Sequence, residues 1–174
     1  MFDWLRDLIE RIARAIAEWM ARCIPAYDPS PWNDANGVQY FNNCYNYACD
    51  IKTGTFAQPG RATGNQYSAI DCPEVGDGAE SDGLVPVSCD DGCGCSECQH
   101  QVALVIKPGG FATGDFHWYR KDRDGRWSHK PGGTPATNLD NSGNLITDPR
   151  TADRGSYTIF CGCYCVRKSA VTIN

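Results

Sequence analysis

The chain has 174 residues, 41% hydrophobic and 21% charged, which is the size and balance of one globular domain and excludes a disordered segment. Its formal net charge of -5 lacks the basic excess with which nucleic acid or an anionic membrane surface is usually met, so no nucleic-acid partner is expected. The 11 cysteines are an odd number and cannot all pair within one molecule.

Residues Asp3 to Ile24 have helical spacing. Leu5, Leu8, Ile9, Ile12, Ile16, Trp19, Met20 and Cys23 gather on one side, the charged residues fall mostly on the other, and Pro25 ends the run. Acidic residues mixed into the polar face favour docking on the domain itself or on a partner over lying on a membrane. Residues 1–24 are therefore read as an N-terminal amphipathic helix, with a possible helix-docking partner, and residues 25–174 as a single α+β domain. The same scattered charges break up the apolar core a secretory signal needs, and no segment has transmembrane length. The expectation is synthesis in the cytoplasm, with any export by a specialised route.

After a proline-rich loop, VQYFNNCYNYACDI allows a helix starting near Cys44, with Asn42 or Asn43 as its N-cap. A thiol in a first helical turn feels the positive end of the macrodipole, which favours thiolate. Lys52 to Gly83 is expected to be loop, and Gly83 to Val87 a short strand that Pro86 confines to a sheet edge. Cys89, Cys93, Cys95 and Cys98 crowd the next ten residues. They could close a structural zinc site, or form disulfides with Cys72 or with the cysteines near the C-terminus.

Gln101 to Ile106 is a β-branched run that reads as a buried strand, with His100 at its mouth. Two aromatic stretches follow, separated by Arg123-Asp124-Gly125, and they read as a β-hairpin. Pairing Tyr119 with Trp127 would set His117 opposite His129 across the ladder. Residues 134–155 look like ordered surface loop, and Tyr157 to Val166 like a closing strand that alternates aromatic residues and cysteines.

A cysteine nucleophile needs a base within reach, usually a histidine oriented by a third polar group. Cys44 in NNCYNYA, His100 in HQVALVI and His117 in DFHWYR supply those parts. In this the middle of the chain resembles the papain-like amidases of the NlpC/P60 and CHAP type. The resemblance implies a papain-like core, Cys44 as nucleophile, His100 as base and His117 as orienting residue. It also implies a peptide or peptidoglycan-like substrate, with no cofactor required. A second assignment makes His117 the base, oriented by His129, Asp115 or Asp140. The oxyanion hole would combine the Cys44 amide with Gln39 or Asn43.

The expected fold is α+β, with the N-terminal helix and the Cys-bearing helix packed on one face of a mostly antiparallel sheet. The expected function is thiol-dependent amide hydrolysis. An acyltransferase or deamidase would use the same parts, a toxin or effector could use the helix for delivery, and the competing class is a non-enzymatic cysteine-rich binding protein.

Overall fold

The computed structural model describes residues 3–34, 36–94 and 98–174, so the sequence expectation for Cys95 lies outside the described residues. The helices are α1 (Asp3–Cys23), α2 (Val38–Phe41), α3 (Cys44–Cys49), α4 (Cys72–Ser81) and α5 (Gly110–Thr113). The strands are β1 (Val85–Val87), β2 (His100–Lys107), β3 (Asp115–Lys121), β4 (Trp127–His129) and β5 (Ile159–Val166). They form one antiparallel sheet in the order β1-β5-β2-β3-β4. The fold is α+β.

Strand β2 lies at the centre, and its continuous apolar run is buried on both faces. Val102, Leu104 and Ile106 join Phe116, Trp118 and Tyr164 beneath α3 and α4. Ala103 and Val105 face the other way and join Tyr119, Trp127, Cys163 and Ile146, which the 134–155 loop contributes. That loop is closed by bridges from Thr137 to His129 and from Leu139 to Leu145.

Three sequence expectations are corrected. Part of the 52–83 stretch is not loop but α4: the Asp71 side chain accepts the Glu74 amide and a proline stands in the first turn. Its glycines are there for close approach, since a Cβ on Gly76 would sit 2.6 Å from the Tyr164 hydroxyl. The hairpin pairs Tyr119 with His129 and Lys121 with Trp127, two residues away from the expected register. Because strand side chains alternate, a slip of two leaves every residue on the face assigned to it. Finally, α1 does not pack on the sheet. Its apolar residues are exposed, Ile9 at 57% and Ile16 at 52% among them.

What anchors α1 is its C-terminal end. Cys23 is disulfide-bonded to Cys98, and Arg123 in the β3–β4 turn binds the carbonyls of Ile24 and Pro25.

Candidate functional site

The sequence placed Cys44 at a helix N-terminus, and it is the first residue of α3. The Asn43 side chain accepts the amides of Tyr45 and Asn46, while the Asn46 side chain accepts the Asn43 amide, which completes a capping box. Two of the helix-end donors, the Tyr45 and Asn46 amides, are thereby engaged. Cys44 is only 5% exposed, and burial pushes its thiol up to about 12 in spite of nearby amides of Trp118 and Tyr45. Desolvation outweighs the helix end, and the thiol stays protonated.

Cys44, Asn43, Asp115 and His117 line one recess of about 170 Å³, together with Phe56, Tyr67 and Tyr157. No hydrogen bond joins the Cys44 thiol to a histidine ring among the described residues. Strand alternation explains this. Val105 pairs with His117, so the His117 ring belongs with Tyr119 and Tyr157 on the face opposite α3. There its Nε2 lies 2.7 Å from Nδ1 of His129, whose own Nε2 donates to the Leu139 carbonyl at 3.0 Å. A carbonyl can only accept, so His129 carries its proton on Nε2 and accepts from His117. Burial lowers both rings, His117 well below the ordinary value, and the pair is neutral.

His100 is elsewhere. It lies on the α3 face of the sheet, and its Nε2 donates to the Ala48 carbonyl at 2.7 Å, in the last turn of α3. The helix rises roughly 9 Å over its six residues, so His100 and Cys44 sit at opposite ends of it. Burial drives His100 down to about 4. As a neutral donor it satisfies a C-terminal carbonyl of α3 and does not meet the thiol.

The other expected participants are bound into the framework. Asn43 Nδ2 donates to the Ala57 carbonyl, and Gln39 Nε2 to that of Gly133, so one N–H of each amide is engaged by the framework. Asp115 accepts the Tyr157 hydroxyl at 2.7 Å. Asp140 accepts amides from Ser142, Asn144 and Asp153, which organises its own loop.

Of the four cysteines read as possible zinc ligands, three are in disulfides: Cys89 with Cys163, Cys93 with Cys165 and Cys98 with Cys23. A fourth bridge joins Cys72 to Cys161. A half-cystine has no thiolate to offer a metal, and among the described residues no group of three or more metal-ligating side chains forms. The alternation of Cys161, Cys163 and Cys165 along β5 is a row of anchor points for the segment that precedes β2.

Two buried cations were missed in the sequence. Arg120, 1% exposed, pairs with Asp122 at 2.9 Å, stacks on the Tyr47 ring at 4.1 Å and donates to the Tyr47 hydroxyl. Lys130 donates to the carbonyls of Gln39, Asn42 and Gly132 at 2.5–2.6 Å, pinning the chain around Cys44. Burial draws its ammonium down to about 8. Parity was the signal for Arg120, which shares the inward face of Phe116 and Trp118.

Taken together, these features define a cysteine-rich α+β protein braced by four disulfides among the described residues, in which the buried free thiols Cys44 and Cys49 and the three histidines are neutral packing and hydrogen-bonding groups. Insoluble matrix shell protein 1 from Ruditapes philippinarum is 47% identical to it over 140 residues, which cover 80% of this chain and 88% of that protein. The chain belongs to the same family as that shell matrix protein. No family model matches the chain, and no solved structure matches it. The resemblance to papain-like amidases, and with it the reading as a thiol-dependent hydrolase, is overturned by this relationship. Among the described residues no helix is long and apolar enough to cross a membrane.

Proposed function

We propose that this chain is a non-enzymatic structural protein of an insoluble extracellular matrix. The observation that carries the reading is the 47% identity, over most of both chains, to a protein named for its place in such a matrix. Four disulfides support it, because such bridges persist where the surroundings are oxidising. A matrix component must also keep its shape for long periods outside the cell, and covalent staples across β5 serve that need better than a marginal core alone.

The test is stepwise extraction of extracellular material from the producing organism, first with aqueous buffer, then with denaturant, then with denaturant and a thiol reductant. An antibody against the chain should find it in the residue left by buffer, with Cys72, Cys89, Cys93, Cys161, Cys163 and Cys165 protected from alkylation until reductant is added. Recovery in the buffer-soluble or intracellular fraction, with those cysteines reduced, would overturn the proposal.

A further inference from the structure

The recess of about 170 Å³ beside Cys44 is walled largely by aromatic rings. Phe116 is buried, Tyr67 and Tyr157 are half-buried, and Phe56 is 44% exposed. Phe111, 64% exposed, stacks on Tyr67 with ring centroids 6.3 Å apart and carries the aromatic surface outward, while Phe116 meets Tyr67 edge-on at 5.6 Å. Rings gathered in this way at one opening are more than the scattered apolar residues of an ordinary surface.

The polar side chains on these walls have largely spent their donors. Tyr157 gives its hydroxyl proton to Asp115 at 2.7 Å, Tyr67 gives its own to Gln58 at 2.5 Å, and neutral His117 spends its one ring proton on His129. Acceptor capacity remains, on the Asp115 carboxylate, the Gln58 side-chain carbonyl and the two hydroxyl oxygens. Asp115 is the one charged side chain among the described residues that line the recess. Three cations stand outside it, each bound to the carbonyl of a lining residue: Arg61 to that of Phe56, Lys130 to that of Gly132 and Arg154 to that of Tyr157. Such walls suit a ligand that brings donors and positive charge, because aromatic faces attract a cation and the carboxylate neutralises it. Oδ2 of Asp115 already takes the Tyr157 hydroxyl and Oδ1 the Phe116 amide, so the pair of oxygens is not open to the fork of a guanidinium, whereas an ammonium needs only single acceptors. The recess is also well below the roughly 300–1,000 Å³ of sites that take drug-sized molecules, so it suits one slender side chain.

We infer that this recess receives a lysine side chain presented by another polypeptide. The methylene stem packs on the rings of Phe56 and Tyr67, the ammonium meets Asp115 between aromatic faces, and the exposed Phe111 and Phe56 offer a rim for the presenting backbone. This rests on the recess alone and stands whether or not the matrix reading does.

The experiment is aromatic-ring NMR of the oxidised full chain titrated with Nα-acetyl-lysine methylamide. The comparisons are the norleucine derivative, which has the same stem without the ammonium, and glucosamine, which has an ammonium on a sugar ring. The lysine derivative should shift the Phe56, Tyr67 and Tyr157 signals with a dissociation constant on the order of millimolar that rises with salt, and the norleucine derivative should bind at least about tenfold more weakly. Asp115→Asn, which keeps an oxygen for the Tyr157 hydroxyl, should weaken the lysine derivative by about threefold to tenfold, and Phe56→Ala by about twofold to fivefold. Both residues are exposed, so the variants should keep the wild-type thermal midpoint, and the norleucine comparison needs no variant. Equal binding of the lysine and norleucine derivatives, or an Asp115→Asn protein that binds as wild type does, would overturn the inference. Tighter binding of glucosamine would show that the recess takes an amino sugar instead, and unshifted signals at about 100 mM lysine derivative would equally overturn it.

Discussion

The disulfides along β5 permit a prediction whose size can be worked out. Treated one at a time, bridges of separation 74 and 72 would each constrain the unfolded chain by about 4.4 kcal/mol. They are not independent. With Cys89–Cys163 closed, the path between Cys93 and Cys165 is the four-residue step from Cys89 to Cys93 and the two-residue step from Cys163 to Cys165. That loop of about six residues corresponds to about 2.2 kcal/mol. The same holds for Cys89–Cys163 when Cys93–Cys165 is closed. For Cys72–Cys161 the shortest detour runs seventeen residues from Cys72 to Cys89 and two from Cys161 to Cys163, about nineteen in all, corresponding to about 3.2 kcal/mol.

Replacing both cysteines of one bridge by alanine should therefore destabilise the Cys72–Cys161 variant by about 1 kcal/mol more than either of the other two. Removing both Cys89–Cys163 and Cys93–Cys165 should cost about 5 kcal/mol. The assay is guanidinium unfolding without reductant, compared at equal slope. Cys163 and Cys165 are more buried than Cys161, so side-chain loss works against this order, and finding it would be the stronger result. Single removals of Cys89–Cys163 or Cys93–Cys165 that each cost about 4 kcal/mol would show that the bridges act independently and refute the reasoning.

Cys44, with its thiol near 12, should resist iodoacetamide at pH 8 in the native protein and react at an ordinary thiol rate after unfolding; fast native labelling would contradict the neutral recess. Arg120→Met should cost about 3–5 kcal/mol in guanidinium unfolding by stranding the buried Asp122 carboxylate, and a loss under about 1 kcal/mol would mean that Asp122 reaches solvent. His100 has its folded value depressed from 6.5 to about 4, so the unfolded chain takes the proton first as pH falls. Its stability contribution is complete above about 6.5 and is lost toward 4, about 3 kcal/mol in all. Unfolding measured at pH 7 and pH 4 should show His100→Gln losing less than wild type by roughly that amount, and parallel pH profiles would rule the assignment out.

Much of the fold was legible because it is written in local patterns. The run Gln101 to Ile106 could only be a buried strand, Pro86 marked an edge, and Asn43 capped the helix that begins at Cys44. The α4 helix was legible too, since Asp71, a proline and Glu74 are a helix start, but its two glycines masked it. Their role lies in distant partners, Tyr164 and Pro59, that no local pattern names. The disulfide partners were legible only as groups: Cys89 and Cys93 do reach the cysteines near the C-terminus, while which pairs with which depends on which strands become neighbours. The α1 stripe was read correctly as amphipathic, and only the structure showed that its own domain does not cover it.

The protonation of Cys44 can be argued in energies. A thiol at a helix N-terminus gains up to about 2 kcal/mol from the macrodipole in favourable geometry, equivalent to between one and two pKa units of downward shift. Here the net change runs the other way, from 9 to about 12, so burial exceeds every favourable contribution, the amide of Trp118 included. The histidine expected to compensate by becoming charged is itself buried and is held below its ordinary value, with His129 beside it opposing the cation. A thiolate–imidazolium pair would need both shifts reversed at once, and the Asp115 carboxylate in the same recess opposes a thiolate at Cys44. Cys44 and His117 border the same recess, but Cys44, at the start of α3, packs into the cluster between helix and sheet, while strand alternation turns the His117 ring into a hydrogen-bonded aromatic layer with His129 and Tyr119. Neutrality is what both environments require of them, and among the described residues the two free thiols, Cys44 and Cys49, are both kept protonated by burial, so neither is poised to attack the four bridges.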